Sequence, residues 1–257
     1  MNDNKEYTRL WTDSNFDIEE IKKYNSKWYT KFEKNIKHRQ QLNLIKKYLK
    51  PDMKWLDAPI GSGRLMDNIE HPIENCFGLD LSSGFIKYNQ SKGIDCFQSD
   101  LFNLNLNKKF DFLTGLHTIF AFVNFKEILT NYLKLLNKGG YLIIDVVNLH
   151  MYDDFSMAKR DDHLVQVNGM KPEEIYTFFK SNNCEVCEII NHDFFDSEKM
   201  IYWRKSGNAI NRKIKSLVWR FLNVIYFKLY LFKLFDLLQN KKRINSYSKF
   251  LVVVRKN

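Results

Sequence analysis

Prolines, glycines and cysteines are few: four, ten and four respectively in 257 residues. Four cysteines in a chain of this length do not make a disulfide scaffold. Cys184 and Cys187 have the spacing of half a zinc site, but no second pair exists and no histidine stands at ligand spacing beside them. The stretch from Cys184 to Asp193 reads as a strand, on which residues three apart point to opposite faces. Buried thiols and no metal are expected. The amino-terminal Met1-Asn2-Asp3-Asn4-Lys5-Glu6 lacks an apolar signal core, so a cytoplasmic setting with reduced thiols is expected. No apolar run reaches the roughly 20 residues of a membrane span. Acidic residues are missing from one region in particular: residues 204–257 carry fourteen Lys/Arg and one acid, Asp236, a net of +13. The total is +10, so the other 203 residues net −3, and the basic character belongs to the carboxyl-terminal fifth alone.

A third glycine is also missing, and here the absence discriminates. Trp55-Leu56-Asp57-Ala58-Pro59-Ile60-Gly61-Ser62-Gly63-Arg64 is a short apolar run ending in an acid and two glycines one residue apart, followed by helix-permissive sequence to Glu70. This is the profile of a buried parallel strand turning tightly into a helix, where a ligand can approach the backbone at the helix's positive end. Gly78-Leu79-Asp80-Leu81-Ser82 places a second acid at the tip of the next strand, where a carboxylate can accept both hydroxyls of a ribose. A dinucleotide site wants a glycine three residues after Gly63, and that position is Met66. The two blocks describe a nucleoside-bearing cofactor without a pyrophosphate.

Further blocks follow in register. Gly93 to Asp100 reads as a short strand ending in an acid, Phe110 to Leu116 as a fourth strand, and Leu136-Asn137-Lys138-Gly139-Gly140-Tyr141-Leu142-Ile143-Ile144-Asp145 as the turn into a fifth. Between the last two, Ile128, Leu129, Tyr132, Leu133, Leu135 and Leu136 fall at helical spacing. Strands at roughly 20–30-residue spacing with helices between them imply a parallel, doubly wound sheet, and 44% apolar content suits one such domain.

Together these blocks resemble the motifs of class I S-adenosylmethionine-dependent methyltransferases, with Pro59 standing where the first motif glycine would be and Lys138 replacing a usual proline. The resemblance covers about residues 38–195 and the last strand. It implies an α/β, doubly wound, Rossmann-like seven-stranded sheet, mostly parallel with the last strand antiparallel. An N-terminal helical arm (1–50) would precede the core (51–195), and a helical insert (196–246) would precede the last strand (247–257). It further implies that S-adenosyl-L-methionine is held by Asp57, Ala58, Pro59, Gly61, Gly63 and Arg64 of the first turn and by Asp80, Leu81 and Ser82 of the second. Ser99, Asp100 and Leu101 of the third would add to it, Asp100 meeting the adenine amino group, together with Leu116. Within the arm, helical in pattern over residues 17–50 with Asp17 as N-cap and Pro51 as the stop, Arg39 could hold the methionine carboxylate; a surface helix packed by Tyr24, Trp28, Tyr29 and Phe32 is the competing reading. The loop Asn148 to Met170 follows a central strand's carboxyl end, where ligands bind in open α/β sheets.

The sulfonium methyl is already activated, so catalysis is largely in-line placement of the nucleophile. A hydroxyl or protonated amine acceptor also needs a base near neutral pH, and histidine is the natural residue. His117, just past the fourth strand, is the first candidate, and His150, just past the fifth, the second; His117 shaping the cofactor pocket and His150 lying in solvent are the alternatives. No Asn/Asp-Pro-Pro-Tyr follows the fourth strand, which disfavours amide or adenine N-methylation. The basic tail carries Trp219, Phe221, Tyr226, Phe227, Tyr230, Phe232 and Phe235 in a nearly continuous apolar run, unlike a nucleic-acid groove. Residues 209–240 contain no Gly or Pro and fit one or two helices. They read as a lid over the pocket, as a helix docking on an anionic membrane surface, or as a homodimer face. Inserts at this place commonly cover the substrate pocket in the family, and the chain resembles small methyltransferases of bacterial surface-polysaccharide pathways. The expected acceptor is therefore a sugar, phosphorylated or lipid-linked glycan precursor. A lipid or quinone acceptor is the alternative within enzymes, and a catalytically silent S-adenosylmethionine-binding protein the alternative outside them. The expected location is cytoplasmic, with peripheral attachment to the inner membrane face left open.

Overall fold

The computed structural model describes residues 18–22, 36–104, 106–117, 122, 124–149, 157–160, 163–166, 168–192, 208, 210–215, 217–218, 221 and 249–257. Their strands are β1 (Trp55–Asp57), β2 (Cys76–Asp80), β3 (Asp95–Gln98), β4 (Phe110–Gly115), β5 (Leu136–Val147), β6 (Met157–Arg160), β7 (His163–Gln166), β8 (Cys184–His192) and β9 (Lys249–Lys256). Seven form one sheet in the order β3-β2-β1-β4-β5-β9-β8. The pairings from β3 to β5 are parallel, and β9 runs antiparallel to both of its neighbours. The expected Rossmann-like sheet with an antiparallel last strand is the one observed.

The unbroken apolar runs Leu142–Ile144 and Phe250–Val254 are what a strand covered on both faces requires. Helices α1 (Ile36–Tyr48) and α2 (Ser83–Gln90) cover one face: Leu42, Leu44, Ile45 and Ile86 pack with Trp55, Phe112, Ile143, Leu251 and Val253. Helices α3 (Phe125–Leu135) and α4 (Pro172–Ser181) cover the other: Ile128, Leu129, Tyr132 and Phe179 pack with Leu56, Leu79, Leu113, Ile144 and Val252. In α3 the apolar residues recur every three or four positions and so line one stripe. Pro172 opens α4 at a position where its missing N–H costs nothing, and the Lys171 backbone N–H donates to Glu174 Oε2 at 2.9 Å. Strand order reverses between β1 and β4, so the crevice at their carboxyl ends is the place for a ligand.

Three details depart from the sequence reading. The segment after the glycines is a single 3-10 turn, Met66–Asn68, and not a helix to Glu70. His71 precedes Pro72, which disfavours helical backbone there, so little room remains to extend the turn. The Asn148–Met170 loop contains the β6–β7 ladder, Met157 opposite Gln166 and Arg160 opposite His163, and its ends meet in a bridge between Asn148 and Met170. In the arm, residues 18–22 and α1 are helical, whereas Asp17, Tyr24, Trp28, Tyr29 and Phe32 lie outside the described residues. α1 is also part of the core, since its Leu42, Leu44 and Ile45 are buried.

Candidate active site

Two polar clusters sit along the carboxyl edge of the sheet. The first is built on β1 and β2. Both glycines of the first turn have left-handed backbone, φ +51° at Gly61 and +76° at Gly63, a region that side chains disfavour. A Cβ at Gly63 would stand 2.2 Å from Asn89 Oδ1, whereas one at Gly61 would meet nothing within 4 Å, so the turn is tight on one side and open on the other. Asp80 organises it: Oδ2 accepts the Gly61 N–H and Oδ1 the Ser82 N–H, each at 2.9 Å. From α2, Asn89 Nδ2 donates to the Gly61 carbonyl at 2.7 Å. Just beyond it, Lys92 Nζ donates to the Ser62 carbonyl at 2.9 Å and pairs with Asp67.

Asp57 ends β1 beneath this turn, wholly buried. The Trp55 indole N–H donates to Thr114 Oγ1 at 2.9 Å, and the Thr114 hydroxyl donates to Asp57 Oδ1 at 2.6 Å. Burial pushes the Asp57 carboxyl up to about 8; Thr114 opposes this, the nearby Asp80 charge adds to it, and Arg64 opposes it. Burial also raises Asp80, against the N–H groups of Ser82, Gly61 and Leu81 that favour its charged form. Ala58 is locked between the Thr114 carbonyl, which accepts its N–H at 2.9 Å, and the Tyr132 hydroxyl, which donates to its carbonyl at 2.5 Å. Pro59 follows a cis peptide bond and is half-buried.

The remaining expected cofactor residues gather at the same end. The Ser99 N–H donates to the Asp80 carbonyl at 3.0 Å, and Asp100 Oδ1 accepts the Phe102 N–H at 2.9 Å. Leu101 and Leu116 are buried, and the Leu81 carbonyl accepts from Gln98. Arg39 is exposed on α1. A nucleoside fits this end on three observations. Space is open in front of Gly61; the buried Ser82 Oγ finds no hydrogen-bond partner; and the Asp80 carboxylate, met by the N–H groups of Gly61, Ser82 and Leu81, keeps lone-pair capacity beyond them.

The second cluster lies past β4, β5 and β8. His117 directly follows Leu116 at the end of β4 and has a left-handed φ of +69°, unusual for a residue with a side chain. Its backbone N–H donates to Asp145 Oδ1 at 2.7 Å, and its Nδ1 lies 4.0 Å from Asp145 Oδ2. Lys249, the first residue of β9, donates to the same Oδ2 at 2.9 Å. Burial alone would raise Asp145; the Lys249 ammonium and the His117 ring outweigh it and hold the carboxyl below its ordinary value. From α1, Gln41 Oε1 stands 3.0 Å from His117 Nε2, and the His38 ring meets the His117 ring edge-on at 5.6 Å. Gln41 continues to His192 at the end of β8, and His192 to Gln40. A nucleophile could thus be deprotonated one strand away from the first cluster, since β4 pairs with β1.

The sequence reading located His117 but not Asp145, Lys249, Gln41 or His192 as its surroundings. A lone acid inside the apolar run from Leu142 to Val147 was the one visible signal. His150 lies outside the described residues, as does most of 209–240. Among the described residues no group of His, Cys, Asp and Glu could hold a metal ion, and no helix is long and apolar enough to cross a membrane.

A family model described as a methyltransferase domain matches residues 29–189. No curated protein matches the sequence. Among solved structures, the chain is similar to an S-adenosylmethionine-dependent methyltransferase from Clostridium acetobutylicum, with 14% identity and a TM-score of 0.53, over 90% of this chain and 98% of that one. It is also similar to the O-methyltransferase from a trans-AT PKS multienzyme of Brevibacillus brevis, solved with S-adenosyl-L-homocysteine, at 13% identity and a TM-score of 0.54, over 95% of this chain and 80% of that one. At such identities these likenesses speak for the fold. The family match spans more than half of the sequence, and the chain therefore belongs to the methyltransferase-domain family, as a class I enzyme whose cofactor is S-adenosylmethionine.

Proposed function

We propose that this methyltransferase methylates a hydroxyl oxygen of a sugar, phosphorylated or lipid-linked glycan precursor, with His117 as the base. The observation that carries the oxygen acceptor is the His117–Asp145–Lys249 arrangement past β4 and β5. A hydroxyl must lose its proton as it attacks, and an imidazole backed by a carboxylate can take it. S-adenosylmethionine supplies a sulfonium methyl that needs no further activation. Asp80 would accept the ribose hydroxyls on its remaining lone pairs, Ser82 Oγ would find its partner on the nucleoside, and Asp100 would meet the adenine. The Gly61–Gly63 turn would pass its backbone along the ligand. The glycan class is supported by the resemblance of the insert and last strand to polysaccharide-pathway enzymes, and the expected setting is the cytoplasm.

A second reading, a lipid or quinone acceptor at a membrane surface, is favoured by one observation. Ile210, Ile214, Leu217, Val218 and Phe221 are exposed at helical spacing, with Arg212, Lys213 and Lys215 between them. Such a stripe is the pattern of a helix lying in an anionic headgroup layer. Two assays separate the readings. Methyl-labelled cofactor is incubated with nucleotide-sugar and lipid-linked sugar acceptors, and the protein is sedimented with anionic vesicles at low and high salt. Label in a sugar methyl ether, lost in His117→Ala, supports the first reading. Label in lipid or quinone alone, with salt-sensitive sedimentation, replaces it with the second.

A further inference from the structure

Gln41 and His192 are wholly buried polar residues at the acceptor end. Their donors and acceptors fix one another. An amide oxygen can only accept a hydrogen bond. Gln40 Oε1 stands 3.0 Å from His192 Nδ1, so this ring nitrogen carries the hydrogen. His192 Nε2 is then the acceptor, and it faces the Gln41 amide nitrogen at 3.4 Å. Gln41 is thereby turned with Oε1 toward His117 Nε2, at 3.0 Å. It follows that His117 Nε2 carries the hydrogen of the neutral ring and that Nδ1 holds the lone pair. The distance from Nδ1 to Asp145 Oδ2, 4.0 Å, agrees, because it is too long for an N–H donating to that carboxylate.

We infer that Gln41 and His192 are positioning residues that hold neutral His117 with its hydrogen on Nε2, so that the acceptor's proton is taken up at Nδ1, beside Asp145. This is the reverse of the familiar histidine–aspartate arrangement, in which Nδ1–H donates to the carboxylate and Nε2 acts as the base. In the step itself, the acceptor oxygen forms its bond to the methyl carbon while the carbon–sulfur bond breaks. The hydroxyl proton passes to Nδ1, and the sulfur keeps the electron pair. The cation formed on the ring faces Asp145 from β5, and Lys249 from β9 shares that carboxylate; from α1, His38 meets the ring edge-on and Gln41 holds its other nitrogen. The inference rests on the reading of His117 as the base.

The test is nitrogen-15 NMR of the imidazole rings in the full chain, above the pH at which His117 titrates, with His117→Gln used to assign its signals. The expected pattern is a protonated, pyrrole-like Nε2 and an unprotonated, pyridine-like Nδ1. In Gln41→Leu, Asp145 competes for the ring hydrogen and the single pattern is lost toward Nδ1–H; in Gln41→Glu, which keeps an acceptor facing Nε2, it is retained. His192→Leu, which frees the Gln41 amide to turn, also loses it. An Nδ1–H ring in the wild type, or an unchanged ring in Gln41→Leu, overturns the inference, and the wild-type spectrum decides even where a variant fails to fold. Methyl transfer by His117→Ala is read separately: if it is abolished while the wild type shows Nδ1–H, the base reading stands and only the tautomer is wrong.

Discussion

Asp80, at the tip of β2, is held by the backbone N–H groups of Gly61 and Ser82, one nineteen and the other two residues away. Asp145, in β5, is held by the Lys249 ammonium from 104 residues away and by His117. Both carboxylates are buried, yet burial wins at Asp80 and loses at Asp145. The difference is one of charge: dipoles of N–H groups only partly repay the loss of water, whereas an ammonium at hydrogen-bond distance repays it. At the cofactor end Asp80 is thus held by backbone N–H groups and keeps acceptor capacity for a ligand. The acceptor end is a side-chain network that needs four separate elements, α1, β5, β8 and β9, in place around His117.

The two ends should separate most widely when the group that reacts only at the acceptor end is removed. His117→Ala is expected to lower the rate of methyl transfer by about 10²–10⁴-fold, the range of general-base catalysis. Its affinity for S-adenosylhomocysteine, measured by calorimetry, should stay unchanged. Equal losses of both would show that the two ends are one site.

Next in size is Lys249→Met, which leaves the Asp145 charge buried with its ammonium gone. Breaking a buried pair in this way costs about 3–5 kcal/mol, to be read as a lower midpoint in denaturant unfolding. A variant as stable as the wild type would mean that Asp145 is held by something other than Lys249.

A further effect separates the two ends by pH. Asp57 in the folded chain titrates at about 8, above its unfolded value, so the folded state binds the extra proton. That stability is fully present below the unfolded value near pH 4 and is lost as pH rises through about 8, with a slope of about 1.4 kcal/mol per pH unit in between. Asp145 has the opposite sign: its lowered value contributes stability at neutral pH, lost as the medium is acidified. Asp57→Asn should flatten the decline between pH 5 and 8 in thermal melts, roughly the window of the slope. An Asn variant with the wild-type slope would contradict the assignment.

The same contrast explains what could be read in the sequence. Strands β1 to β5 and the Gly61–Asp80 pair were legible because their signals are local: apolar runs, two glycines and an acid at the next strand tip. The helix expected after Gly63 was not there, because Pro72 and the turn at Met66–Asn68 cut the segment short, while tertiary bonds from Asn89 and Lys92 fix the glycine turn from outside. At the other end His117 and His150 stood out, and His150 lies outside the described residues. Gln41 and His192 are 151 residues apart, and neither carries a local mark of the hydrogen bond that joins them. Lys249 lies within the expected last strand with no local mark of its partner, and only the antiparallel placing of β9 against β5 brings it to Asp145.

If the end of the sheet where backbone N–H groups hold Asp80 is the cofactor site, Asp80→Ala removes its main acceptor. Losing a charge-assisted acceptor for two hydroxyls, and with it the hold on Gly61, costs at least about 1.4 kcal/mol. Calorimetric titration with S-adenosylhomocysteine should show binding to the wild type and an affinity at least about tenfold weaker in the variant, with the two proteins still sharing a folded circular-dichroism spectrum. Equal affinity in the two proteins would place the cofactor elsewhere than on Asp80.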